Sequence, residues 1–552
     1  MPHKSKENQS NNQTMNLTPN NPLQARACVL ATMSIVLATM AASTAAAADV
    51  RVFDEKVSGV PAANCCPNTP SDNIYSPEFV PGLIEQGSDL LENPSGPITR
   101  FGNLNDGSRT EPDENTYLIL DHNPGGPTPG YDYGRHFLFQ GHEMPNGNTN
   151  RAYVTRINLD VAAPGHRITL LTPGDANALT GFNSIDGSTW NPISRTLLFT
   201  QEDGAIGGVI EMGADFDPAT GAGQGLRTLY GSLGRGGYEG IHPDNWGNIL
   251  IIEDVGGTTV PMGTIPGEFG RNPNSFVYRF VPDDPTDLTH GKLQALQVSI
   301  DGHPVVFVPF SMEHPTGDVL SENQRLLHMV GASWPVQWIT IHDTAVDGTM
   351  AFDANARAKL LGATPFKRPE NAQFQPNSNF QTFFFDITGD TDNRAGIQPV
   401  LAERGAWGGL FRVDLDASRD TGHISLVVLG DADHAAFDNI TFADSKDTVL
   451  VAEDRGDTLH DQLNKLDSIW AYRLKDSDPS KNVVSRFLAL GQDIVAAVPG
   501  QEDNEPTGLH MSEGDATIEG LIGTRAFRRD RARLFFTQQH GENNLFEVFP
   551  LD

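Results

Sequence analysis

The sequence predicts an all-β fold: a six-bladed β-propeller with an N-terminal arm, inserted loops and one helix. Two observations carry that prediction. Six runs of strand-forming residues each break into a loop of acidic or histidine residues, at 137–143, 198–203, 251–254, 383–390, 450–454 and 534–540, and a second strand-forming run follows each. An irregular repeat of strand, charged loop and strand is the pattern of four-stranded blades around an axis. Upstream of four of the loops stands a further carboxylate, Asp186, Glu239, Glu370 and Asp438. Roughly 14 to 16 residues separate it from the loop acid, room for two strands of ~5–6 residues and a hairpin.

Taken in order, the first 48 residues are expected to be a signal peptide. Lys4, Lys6 and Arg26 precede an apolar stretch that ends in Thr-Ala-Ala-Ala-Ala at 44–48, and charged start, apolar middle and small-residue exit mark a secretory leader. Residues 49–99 are Pro/Asn/Ser-rich and read as an arm wrapping the domain. Blade-like patterning then runs from 100 to 552, interrupted by an irregular insertion at about 282–365 that contains an Ala-rich helix pattern over 346–361. A further insertion lies between Gly508 and Leu534. Cys65 and Cys66 are adjacent, a spacing that seldom closes on itself, and no catalytic role is read into them.

The chain has 552 residues and a formal net charge of −32. Cleavage near Ala48 removes three positive and one negative side chain, taking −32 to −34. So acidic a chain is not expected to bind nucleic acid or an anionic membrane directly, and it is expected to work as a monomer. It suits cations instead. In an up-and-down meander the entry to the first strand and the loop after the second share one face. Glu239 with Glu253, Glu370 with Asp386, and Asp438 with Asp454 are therefore expected to converge there. The plainer account makes each acid a solvated turn former, but recurrence at matched offsets beside apolar strands favours a shared site. His142 and His540, at strand ends, fit a packed histidine and a proton donor equally well. Tyr238 and Trp190 read as core aromatics.

Several segments resemble the PhoX-type alkaline phosphatases. Phe-Lys-Arg-Pro-Glu-Asn-Ala at 366–372, followed by a strand and Asp-Ile-Thr-Gly-Asp-Thr-Asp-Asn-Arg at 386–394, is similar to that family's Arg-Pro-Glu segment. Gly-His-Glu at 141–143, Trp190 with Glu202-Asp203, Tyr-Glu-Gly at 238–240, Phe-Asp-Asn at 437–439 with Asp454, Glu-Pro-Thr-Gly at 505–508 and Gln-His-Gly at 539–541 fall in matching order. The resemblance spans about residues 100 to 549. It implies an exported phosphatase that hydrolyses a small-molecule phosphate ester with calcium and iron at the pore mouth. It implies that Glu202, Glu239, Glu370 and Asp454 are metal ligands, to which Asp254 of the third loop is added. It implies catalytic roles for Glu370 and Arg368, with Arg368 holding the phosphoryl oxygens. Where the family carries an iron-ligating cysteine this chain has Asn183-Ser184. That excludes thiolate ligation and suits hard calcium better than iron. The family's twin-arginine leader is also missing, so the expected location is periplasmic or extracellular through an ordinary signal peptide. A calcium-dependent propeller lactonase or esterase, needing no phosphate-binding arginine, and a non-catalytic propeller pinned by calcium are the competing expectations.

Overall fold

Several strands here are buried along their whole length, polar positions included. Thr382–Ile387 and Thr448–Glu453 are buried at every position, so both faces of each sheet are covered by neighbours. β-branched and aromatic side chains suit that doubly packed surface. The computed structural model describes residues 57–65, 69–144, 150–217, 220–221, 223–262, 269–390, 396–443, 447–474, 482–493, 504–521 and 532–551. The expected signal peptide and Cys66 lie outside them. Cys65 is disulfide-bonded.

Four sheets of four or five antiparallel strands form blades. Their inner strands are Glu111–Ile119, Ile185–Asn191, Phe437–Phe442 and Pro506–Ser512. The 49–99 segment supplies outer strands to two of these blades. Phe79–Glu85 pairs with the C-terminal strand Asn544–Pro550, and Ile74–Tyr75 with Val483–Ala489. Early and late parts of the chain thus close one blade together.

The remainder corrects the six-bladed expectation. Ten strands between residues 238 and 429 join in one sheet rather than in two separate blades. The 282–365 insertion is the cause: its strands Asp287–Ile300 and Ser333–Asp343 pair with each other, and the second pairs on to Thr421–Leu429. Alternation in Trp-Pro-Val-Gln-Trp-Ile-Thr-Ile at 334–341 is the period-two signature of such a strand. The sheet curls almost into a barrel, so that its edge strands, Tyr238–Pro243 and Pro369–Phe374, lie side by side. The fold is therefore four propeller blades plus one near-barrel sheet. The helix expected over 346–361 is two short ones, Thr344–Asp347 and Ala354–Leu361. Gly348 at φ 81° ends the first, and the Asp353 side chain caps the second by accepting from the Ala356 amide. Among the described residues no helix is long and apolar enough to cross a membrane.

The largest core cluster fills the near-barrel sheet. Phe385 is fully buried there, its ring centroid 5.1 Å from Phe366 and 5.0 Å from Phe411. Removing such a ring costs transfer energy plus a cavity term, ~3–5 kcal/mol. We expect Phe385→Ala to lower unfolding free energy by that amount in a urea titration. Leu360→Ala, at a position 82% exposed, is expected to stay within ~0.5 kcal/mol.

Candidate metal centre

Six strands line the axis: one from each blade, and the two edges of the near-barrel sheet. Each is interrupted at the same height. Register shifts fall at 112–115, beside 185–188, and at 238–241, 369–372, 437–440 and 507–510. A β-bulge of this kind breaks the alternation of side chains and re-aims one of them. The re-aimed residue is Asp113, Asp186, Glu239, Glu370 and Asp438 in five strands, and Gly508 in the sixth. Backbone strain sits beside these positions. Ser184, Arg368 and Ala436, each two residues before a bulge carboxylate, have φ of 34°, 50° and 57°, a conformation costly for non-glycine residues and concentrated at functional sites.

A second tier comes from the loops. The amides of Glu202, Asp254 and Asp454 donate to the carbonyls of Ser184, Gly237 and Ala436 at 2.9, 2.8 and 2.8 Å. One repeated backbone bond therefore docks each loop acid beside a bulge acid. In the near-barrel sheet's other edge the equivalent donor is Thr388, bonded to the Arg368 carbonyl at 2.8 Å, which is why that loop contributes no acid.

Two sets of carboxylates close up enough to share an ion. Glu239, Asp254 and Glu370 place one oxygen each within 4.8 Å of one another, as do Asp113, Glu143 and Asp186. All but Glu143 are buried. Asp186 Oδ1, Asp254 Oδ1 and Asp438 Oδ2 are buried without a hydrogen-bond donor among the described residues, an arrangement that a bound cation relieves. Burial first, then the neighbouring carboxylates, push Asp186, Glu202, Glu239, Glu370 and Asp438 well above the usual carboxyl range. Glu143 is pushed up to about 8 and Asp113 to about 6, again chiefly by burial. The donors are all oxygens, which fits a hard cation such as calcium. Thiolate chemistry does not fit: Asn183 Oδ1 accepts from the Asn150 amide at 2.6 Å, and Ser184 is buried beside it.

Among the described residues, two cations face this deck. Arg368 Nε and Nη2 lie 2.9 and 2.8 Å from Asp254 Oδ2, and Nη2 lies 3.4 Å from Glu370 Oε1. Burial would lower its pKa, but Asp254 and Glu370 hold it raised. Its side chain keeps 26% exposure, so it stands at the mouth. His540 pairs with Glu111 at 3.1 Å and Glu505 at 3.3 Å.

The structure brings Glu202, Glu239, Asp254, Arg368, Glu370 and Asp454 to one site. It does not bring Glu253 or Asp386 there. Glu253 accepts from the Phe276 amide and the Tyr278 hydroxyl, and Asp386 from the Asn371 amide; both fasten their own sheets. Glu253 stands one place ahead of the docked Asp254, so its side chain takes the other direction; Asp386 stands two places ahead of the docked Thr388 and is held by the Asn371 amide instead. His142 is a packed histidine between Thr110 and Thr155. Tyr238 and Trp190 are core aromatics as expected. Lys367 forms a buried pair with Asp390, 2.7 Å apart. Asp113 escaped sequence reasoning because a long connection separates its strand from the next, placing it thirty positions before Glu143; the acidic run Glu-Pro-Asp-Glu at 111–114 was the available signal.

The family model for alkaline phosphatase PhoX matches residues 267–489. Among solved structures, Pseudomonas fluorescens PhoX in complex with vanadate, a transition-state analogue, aligns at 13% identity with a TM-score of 0.52, over 90% of this chain and 98% of that one. At this identity the match is one of fold. An oligogalacturonate lyase in complex with manganese aligns at 11% identity and TM-score 0.31, over 88% and 99% of the two chains. The PQQ-bound aldose sugar dehydrogenase of Streptomyces coelicolor aligns at 12% and 0.30, over 86% and 99%. No curated protein matches.

The shifted carboxyls give a signed pH dependence. Acids that ionise near ~4 when unfolded, but at about 6 to 8 when folded, bind more protons in the folded state across that window. Without cations, their contribution to stability is complete below the unfolded value and is lost as pH rises through the folded ones. We expect the unfolding temperature in chelator to fall across this range. Excess calcium should abolish the fall, adding ~2.7 kcal/mol at a hundredfold excess over its dissociation constant. Calorimetry at stepped pH checks both; a temperature that rises with pH in chelator contradicts the deck's burial.

Proposed function

We infer a function from one premise: this chain belongs to the PhoX family, alkaline phosphatase-like, as a divergent homologue of low identity. It carries a hydrolase fold with clustered carboxylates able to hold metal. The reading the site supports best is an exported, calcium-dependent phosphatase acting on phosphate monoesters. The single observation that carries it is the juxtaposition of Arg368 with Asp254 and Glu370 at the mouth of the deck. A guanidinium there answers a phosphoryl group, whereas a lactone carbonyl needs no such fork.

In this reading Glu239, Asp254 and Glu370 hold one cation, Asp113, Glu143 and Asp186 hold a second, and Glu202 and Asp454 complete the ring. Bound there, hard cations supply charge neutralisation and a water of lowered pKa. The rest falls to the chain. Arg368 orients the phosphoryl oxygens; as water oxygen bonds to phosphorus, the ester P–O bond breaks and the proton shed by that water balances the one the departing alkoxide takes up. Asp254 holds the guanidinium in place, and Glu370 sets its distance from the deck. Iron is left out of this reading because the thiolate position is Asn183-Ser184. The acidic charge fits a small-molecule substrate rather than nucleic acid, and the chain is taken to act as a monomer.

Hydrolysis of a chromogenic phosphate monoester in calcium tests the assignment. Glu370→Gln should nearly abolish turnover. Arg368→Lys keeps the charge but loses the planar fork and should cost ~10²-fold or more. Wild-type rates in both folded variants contradict the site. Export is tested apart: the mature amino terminus should fall near Ala48, and recovery of Met1, or of any start before Ala45, rules the leader out.

A further inference from the structure

Beneath the deck one side-chain bond crosses the axis among the described residues. Glu114 follows Asp113 in the first bulge and Asn371 follows Glu370 in the fourth. Their strands, Glu111–Ile119 and Pro369–Phe374, stand three places apart in either direction round the ring of axial strands, which puts them opposite each other. The Asn371 side-chain amide donates to Glu114 Oε1 across the axis. The other oxygen, Oε2, accepts the Ser188 amide at 2.8 Å, two residues after Asp186. The Asn371 backbone amide is itself fixed by Asp386 Oδ1 at 3.0 Å, and its side-chain oxygen by the Ala372 amide at 2.7 Å.

Neighbouring strands pack tightly at this height. A Cβ on Gly187 would meet the Glu239 carbonyl at 2.0 Å, and one on Gly240 the Asn371 side-chain oxygen at 2.7 Å. Directly below lies a cavity of about 60 Å³ lined by Glu114, Trp190, His242, Gln373 and His510. A small gap therefore lies under the deck along the axis. What spans the axis is Glu114, joined to Asn371 on one side and Ser188 on the other.

We propose that Glu114 is a positioning residue: an axial crossbar that fixes the bulges of Asp186 and Glu370 at the separation needed to hold cations. It touches neither substrate nor the reacting atoms. The bulge is a soft element, since an extra residue leaves part of the ladder unpaired, so a carboxylate aimed by a bulge needs an outer partner to keep its aim. Groups behind metal ligands commonly change affinity 10- to 100-fold when altered. The proposal rests on the deck being a cation site, not on the phosphatase assignment.

The test uses a reciprocal exchange in the full mature chain, read by calorimetric titration with calcium. Glu114→Gln leaves one donor, Asn371 or the Ser188 amide, facing an amide nitrogen. It should weaken calcium binding by ~10- to 100-fold while far-ultraviolet circular dichroism stays unchanged. Adding Asn371→Asp reverses the polarity: the side-chain amide now at position 114 donates to the carboxylate now at position 371, and its oxygen still accepts from Ser188. The double variant should return calcium affinity to within ~3-fold of wild type. A residue that only supports the fold leaves calcium affinity unmoved in the folded single variant. Calcium affinity unchanged in Glu114→Gln, no recovery in the folded double variant, or a wild type that binds no calcium overturns the proposal. A protein that binds calcium with the predicted pattern yet hydrolyses no phosphate ester leaves the crossbar standing and removes only the phosphatase reading.

Discussion

Everything in this structure answers to the crowding of carboxylates on its axis. Two ionised carboxylates with oxygens within 4.8 Å of each other repel by roughly 3–4 kcal/mol at an effective dielectric of ~20, and the deck contains several such pairs. Arg368 and His540 face it, too few to neutralise the acids of the bulges and loops together. Protonation or bound cations must do the rest, and the upward push on the carboxyls expresses that demand. Three carboxylate oxygens without a donor favour cations. Hard, oxygen-seeking ions meet the charge and the missing coordination at once.

The bulge is the device that makes this crowding possible. In a regular ladder, alternation would send successive acids to opposite faces. By interrupting all six axial strands at one height, the fold turns five acids to the same level, and the docked loop amides add Glu202, Asp254 and Asp454 beside them. Left-handed backbone at Ser184, Arg368 and Ala436 is part of the same construction. Arg368 shows the economy of it: the residue that absorbs the strain also presents the guanidinium.

Much of the site was legible in the sequence because it repeats. Loop acids recur after apolar runs, and upstream acids precede them by nearly constant intervals, so Asp186, Glu239, Glu370, Asp438 and Asp454 stand out from the repeat, whereas Glu202 as a ligand comes only from the resemblance to the PhoX family. Glu253 is lost to direction, since the position just ahead of the docked Asp254 takes its side chain into the sheet, and Asp386 is lost to the Asn371 amide that holds it. Asp113 was hidden by a long connection that breaks the interval. The four blades and the near-barrel sheet were read as six blades because the repeat records strand, loop and strand but not where hydrogen bonding stops. The strands of the 282–365 insertion join what would have been two separate sheets, and only their pairing with Thr421–Leu429 reveals it. Glu114 had no repeat to betray it, since the other bulges carry glycine, asparagine or leucine at that place.

The most direct test of the central claim is a crystal structure of the mature protein grown in calcium above neutral pH, with anomalous scattering used to locate the ions. The account predicts an ion held by Glu239, Asp254 and Glu370 at carboxylate–calcium distances of ~2.3–2.6 Å, with no oxygen of that trio left bare. A deck free of ions under saturating calcium, its acids paired through shared protons, would contradict it.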